Sequence, residues 1–212
     1  MNELLRFDKE FSMRQEAAVL IGIDEAGRGP LAGPVVAAAC SVAPNQYPDF
    51  QDINDSKKLT PAKREEIFER INRLGVFYGV GFASAQEIDE LNILQATFLA
   101  MRRATFKFYS IPGTFVLIDG PHQIPSFSLR QQAVVDGDAK SLNIAAASII
   151  AKVVRDRYMQ TLDTIYPEYG FAAHKGYGTA QHLAALRKKG PCPQHRKTFA
   201  PVRNLIAPRL FP

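Results

Sequence analysis

Cysteine is scarce, with two residues in a chain of 212. Cys40 and Cys192 are too few for a structural zinc site. Cys40 falls in an apolar run and reads as a small buried hydrophobe. Cys192 lies in a loop between two prolines, and a disulfide between the two is not expected in a reducing compartment. No apolar run reaches the length of a membrane-spanning helix. Residues 1–16 mix charge with aromatics and hold no signal-peptide core. Repeats, low-complexity tracts and linkers are also missing. These absences set aside a membrane protein, a secreted disulfide scaffold and a repeat array. What remains is one cytoplasmic, globular α/β domain over residues 1–212, with ordinary apolar and charged content of 46% and 22%.

Another shortage is local. From Tyr169 to Pro212 there is no Asp or Glu, while Lys175, Arg187, Lys188, Lys189, Arg196, Lys197, Arg203 and Arg209 are all cationic. The rest of the chain carries 18 Lys and Arg against 21 acids. A basic helical segment over 169–212 on an otherwise slightly acidic body is an electrostatic footprint for a polyanion. On charge alone, a solvated basic helix face explains it equally well.

The chain is organised around residues 19–39. An apolar β-branched run ends in Asp24 and Glu25, Gly27-Arg28-Gly29 turns the chain, and a second apolar run follows. This reads as a hairpin of buried strands with two carboxylates at the end of the first. An isolated Asp-Glu pair is a solvated turn. Here the glycines allow close backbone approach, and Arg28 supplies a planar cation suited to phosphate. Acids beside a buried strand call for compensating charge, and a hard divalent cation supplies it. Successive strand residues point to opposite faces, so Asp24 and Glu25 meet one ion only if the strand ends or bulges there, or if one ligand is a main-chain oxygen.

Further along, Lys57 and Lys58 precede a helix that starts at Thr60 as N-cap with Pro61 in its first turn, which suits either solvation or a phosphate grip. Ser84 and Glu87 form a capping box for one helix carrying Ile88, Leu91, Leu94, Phe98 and Met101. Residues 43–53 and 193–212 read as irregular. A second buried strand ends in Asp119-Gly120, where strand-end carboxylates converge if the strands are neighbours. His122 reads as a loop histidine. Asp138 opens a long helix whose first half is apolar, a place that suits an anion by itself. Tyr177 sits between Gly176 and Gly178 next to Lys175, ahead of a helix capped by Thr179. From the residues alone a tyrosine packed on the core with its hydroxyl at the surface is the preferred reading, although glycine on both sides lets the backbone push the ring outward.

Residues 23–37, Asn54-Asp55-Ser56-Lys57-Lys58-Leu59, Leu117-Ile118-Asp119-Gly120, Gly137-Asp138-Ala139-Lys140 with Ile144 to Ser148, and His174-Lys175-Gly176-Tyr177-Gly178-Thr179 resemble, in order, the motifs of bacterial ribonuclease HII. Asp136 departs from the pattern, since that position is more often basic in the family. The resemblance implies a ribonuclease H-like α/β fold: a mixed central sheet flanked by helices with a basic C-terminal helical part. It implies that Asp24, Glu25, Asp119 and Asp138 bind Mg²⁺ or Mn²⁺ in a two-metal site and carry catalysis. It also implies a monomeric endoribonuclease that cuts RNA paired with DNA, including single ribonucleotides embedded in duplex DNA, leaving 3′-hydroxyl and 5′-phosphate ends. Gly27, Arg28 and Gly29 would contact the ribose, Tyr177 the RNA–DNA junction, and Lys57, Lys58 and Lys175 phosphate. The short leader implies that the N-terminal module of the sister ribonuclease HIII group is absent. The rival readings are a catalytically silent nucleic-acid-binding domain and a metal-dependent phosphatase. Leu210-Phe211 is either packed on the body or a docking peptide for a replication clamp.

Overall fold

The computed structural model describes residues 2–53 and 59–206. Lys57, Lys58 and the Leu210-Phe211 pair lie outside the described residues. Residues 3–15 form a helix, α1 (Glu3–Gln15), whose first turn is capped by the Asn2 side chain accepting from the Leu5 N–H. Strands β1 (Val19–Ala26) and β2 (Val35–Ser41) make the expected hairpin. Residues 44–50 form a 3-10 turn where a plain loop was expected. Helix α2 (Pro61–Arg73) starts at the Thr60 cap and leads into β3 (Phe77–Ala83).

The Ser84–Glu87 capping box is present, but the helix it starts is not continuous. It divides into α3 (Ala85–Leu91) and α4 (Ile93–Thr105) at Asn92, which sits at φ +69°. Asparagine tolerates the left-handed region, and its side chain here caps α4 by accepting from the Leu94 and Gln95 N–H groups. Then come β4 (Thr114–Asp119), β5 (Arg130–Val134), the long α5 (Leu142–Ile165), the single turn α6 (Phe171–His174) and α7 (Ala180–Lys189). Residues 200–206, expected to be irregular, form α8 (Ala200–Ile206). Asp138 does not open α5. It lies in a tight 3-10 turn, and Ser141 caps the helix by accepting from the Ile144 N–H.

The sheet has the order β3-β2-β1-β4-β5. β1 runs antiparallel to β2 and parallel to β4, and β4 runs parallel to β5. The mixed sheet therefore sets the carboxyl ends of β1 and β4 side by side. α5 packs on one face with α1 and α2, where Leu142, Ala146, Ile149 and Ile150 meet Ile67 and Ile71. α4 covers the other face, where Ala100 and Ala104 meet Ile21, Ile23 and Val116. Gly79 and Gly81, which weaken β3 as a sequence, are explained by proximity: a Cβ on either would collide with the Ala104 or Ala100 carbonyl oxygen.

A buried polar knot joins α1, α5 and β2. Asp8 Oδ2 accepts from both the main-chain and the side-chain N–H of Asn143, each at 3.0 Å, and Asn143 Oδ1 accepts from the Val42 N–H at 2.7 Å. Burial pushes the Asp8 carboxyl from an ordinary 3.8 up to about 6.

Candidate active site

The β1–β4 register pairs Ile23 with Ile118, and the next residue on each strand is an acid, Asp24 and Asp119. Neighbouring parallel strands thus place two carboxylates together at one edge of the sheet. Glu25 joins them differently. β1 neither ends nor bulges at the acids, since Asp24, Glu25 and Ala26 pair in unbroken register with Ala38, Ala37 and Val36. Asp24 consequently faces α5, where the Ser148 hydroxyl donates to it. Glu25 faces the α4 side, pairing with Arg28 at 3.3 Å. It reaches the common cleft from the far side of the strand. Among the described residues, no three of the acids close on a single point as they stand.

The cleft, about 480 Å³, is lined by Asp24, Glu25, Gly27, Asp119, Ser148 and Tyr177 together with Arg64, Lys152 and Arg155. Asp24 is almost fully buried, and its pKa lies well above the carboxylate range. Burial is the largest cause, the charges of Glu25 and Asp119 come next, and the bonds from Ser148 and the Glu25 N–H oppose them. Asp119 Oδ1 accepts from the Gly137 N–H at 2.7 Å and the Asp138 N–H at 3.3 Å. Asp138, itself buried, thus stands directly behind Asp119. An all-oxygen donor set crowded enough to oppose its own ionisation, at the edge of an open cleft, fits a hard divalent cation.

Tyr177 is half exposed, and its ring lies 3.5 Å from where a Cβ on Gly29 would sit, so the Gly27–Gly29 and Gly176–Gly178 turns meet. The Leu31 N–H donates to the Gly176 carbonyl at 2.8 Å and fastens them. Lys175 lies outside this cleft, in an adjoining groove of about 480 Å³ shared with Arg64 and Lys152. His122 is exposed and borders a smaller hollow beside Glu25 and Arg28.

Two residues that sequence reasoning missed hold the Gly27–Pro34 turn. Arg196 reads as surface charge, but it is fully buried and donates to the carbonyls of Gly27 at 2.6 Å, Arg28 at 2.9 Å and Gly33 at 3.0 Å. Arg155, on α5, donates to Pro34, Ala32 and Lys175. Gly27, at φ +96°, is required because a Cβ there would collide with Arg155 Nε. Burial lowers both guanidinium pKa values, and for Arg196 the charge of Arg155 adds to it. The one local signal was the apolar run into Arg155, a charge at the end of the largely buried first half of α5.

The family model "Ribonuclease HII" matches residues 21–202. The chain belongs to the ribonuclease HII family. It is 53% identical over 202 residues to ribonuclease HII of Syntrophotalea carbinolica, covering 95% of this chain and 94% of that protein. Among solved structures it is similar to the PCNA:RNase HII complex from Archaeoglobus fulgidus, with a TM-score of 0.72, 26% identity and coverage of 85% of this chain and 95% of that one. It shares its fold with Bst-RNase HIII in complex with Mn²⁺, with a TM-score of 0.72 at 20% identity over 88% of this chain and 68% of that one. By family the chain is an endoribonuclease, and the ribonuclease H-like fold expected from its motifs is the fold it has. No helix among the described residues is long and apolar enough to cross a membrane.

Proposed function

We propose that this chain is a single catalytic domain that hydrolyses the RNA strand of RNA–DNA hybrids and cuts at ribonucleotides embedded in duplex DNA, leaving 3′-hydroxyl and 5′-phosphate ends. The observation that carries this reading is the pairing of β1 with β4, which sets Asp24 beside Asp119 in a cleft that Tyr177 and the Gly27-Arg28-Gly29 turn also line. Asp24, Glu25, Asp119 and Asp138 would hold Mg²⁺ or Mn²⁺. The Mn²⁺ in the solved Bst-RNase HIII complex supports an ion of this class. Bound there, such ions would activate water and stabilise the leaving oxygen.

The chain's own residues supply the rest. Ser148 orients Asp24, and Gly137 and Asp138 orient Asp119, each by donating to the carboxylate. Arg28, exposed beside Glu25, and the Gly27 and Gly29 backbone meet the sugar-phosphate at the cut. Tyr177 packs at the RNA–DNA junction. A 2′-hydroxyl both donates and accepts, so polar groups built around it reject deoxyribose. Lys175, with Lys57 and Lys58, grips phosphate. The enzyme acts as a monomer in the cytoplasm. The PCNA:RNase HII complex from Archaeoglobus fulgidus supports a replication clamp as a partner, for which Leu210-Phe211 would be the docking pair.

The test is incubation with a duplex carrying one ribonucleotide, with and without Mg²⁺ or Mn²⁺. Metal-dependent cleavage at the ribonucleotide, leaving 3′-hydroxyl and 5′-phosphate ends, is expected. Cleavage without metal, or none with either ion, overturns the reading.

A further inference from the structure

Behind Tyr177 lies a cluster that this reading leaves unused: His174, His182, His195 and Cys192 around Phe171. His182 and His195 are fully buried. Their hydrogen bonds dictate where the protons sit. His182 Nδ1 lies 2.9 Å from the Tyr177 carbonyl oxygen, which can only accept, so Nδ1 carries a hydrogen. His195 Nδ1 lies 3.0 Å from the Cys192 N–H, which can only donate, so that ring carries its hydrogen on Nε2. The two Nε2 atoms are 3.0 Å apart, and the bond between them runs from His195 to His182. A one-way chain of donors thus leads from Cys192 through two neutral imidazoles to the Tyr177 carbonyl. The adjacent His174 accepts from the Gly176 N–H at 3.2 Å and donates to the Tyr169 carbonyl at 2.8 Å. It stacks on His182 with ring centres 4.5 Å apart.

We propose that His182, oriented by His195, is a positioning residue for Tyr177. The pair fixes the carbonyl of the residue that meets the substrate and so sets its ring against Gly29. The inference rests on the reading of Tyr177 given above. Geometry also explains why the pair stays neutral. A second proton on His182 would face the His195 N–H, and one on His195 would face the Cys192 N–H, each across 3.0 Å. The titratable groups facing the pair are His174, Cys192 and Tyr169, with Cys192 Sγ 3.2 Å from His195 Nδ1. Burial lowers both histidine pKa values, and for His195, where the neighbouring histidines add to it, the value falls to about 4. The pair is therefore a lock across the neutral range rather than a sensor within it.

The test combines two measurements. Imidazole ¹⁵N shifts of the full chain should show Nδ1–H on His182 and Nε2–H on His195, unchanged from pH 8 to pH 6. The opposite tautomer on either ring, or protonation above pH 6, overturns the proposal. Initial rates are then compared on an embedded single ribonucleotide and on a continuous RNA–DNA hybrid. Tyr177→Ala should lower the ratio of the two rates. His182→Leu should lower it roughly five- to tenfold, the scale of a small misplacement at a reacting centre. His182→Asn keeps a donor near Nδ1 and should restore most of the ratio. His195→Gln keeps a donor to His182 Nε2, should hold the ratio near wild type, and serves if the leucine variant does not fold. If Tyr177→Ala lowers the ratio and His182→Leu does not, the inference fails while the Tyr177 reading stands. If His182→Asn is as low as His182→Leu, the role is packing and the inference fails. A ratio unchanged in Tyr177→Ala overturns the Tyr177 reading and this inference with it.

Discussion

Two charged regions lie side by side in this molecule and solve the problem of burial in opposite ways. At the sheet edge, Asp24 is buried beside the charges of Glu25 and Asp119, and each of these influences raises its pKa. Beside them, Arg155 and Arg196 are also buried, yet their donors go to main-chain carbonyls: Pro34, Ala32 and Lys175 for one, Gly27, Arg28 and Gly33 for the other. A buried cation satisfied by fixed dipoles is scaffold. A buried anion crowded by anions favours a cation as its neighbour. The scaffold is what holds the Gly27–Pro34 turn next to the acidic cleft.

The sharpest way to break the comparison is at the acidic edge. Asp119→Asn should reduce cleavage by roughly 10³-fold or more, the scale of losing one member of a catalytic unit. Duplex binding and secondary structure should persist, because the asparagine oxygen can still accept from Gly137. Mg²⁺ or Mn²⁺ should raise the Tm of the wild type and not that of the variant. Near-normal turnover in Asp119→Asn would refute the ligand role.

On the scaffold side, Arg196→Met should cost about 3 kcal/mol in urea denaturation, because three carbonyls lose buried donors. Cleavage should fall with it even where the variant remains folded. Unchanged stability would show that the guanidinium is replaceable.

A third test uses pH. The folded protein holds a proton on Asp8 up to about pH 6, whereas the unfolded chain releases it near 3.8. The contribution is therefore fully present below about pH 4 and is lost as pH rises to about 6. Asp24 acts in the same direction. Asp8→Asn should flatten the stability–pH curve over that window and stabilise the protein at pH 7 by up to about 3 kcal/mol, at about 1.4 kcal/mol per unit. A curve as steep as that of the wild type would assign the dependence elsewhere.

The smallest effect belongs to the surface. Neutralising Arg187, Lys188 and Lys189 together, in the last turn of α7, should weaken binding to all duplexes alike. It should also flatten the salt dependence, by ~1 in slope for each phosphate that is no longer neutralised. Binding unchanged at low salt would make them solvation only.

The sequence by itself determined the local signals. The Thr60, Ser84 and Thr179 caps, the hairpin and the acids at the ends of two apolar runs each rest on neighbours within a few residues, and each was legible. The break at Asn92 and the extent of α1 were not. At the first, an asparagine could either continue a helix or cap a new one. The second drew on burial of Leu4, Leu5 and Phe11 against the body. Only tertiary structure decided that β1 and β4 are parallel neighbours, which puts Asp24 beside Asp119 and turns Glu25 to the other face. It likewise decided that Arg196 is core rather than tail, and that His182 meets His195. The reason is physical: the partners of Arg196 lie 163 to 169 residues away and are main-chain carbonyls, which every residue carries, so no side-chain pattern announces them.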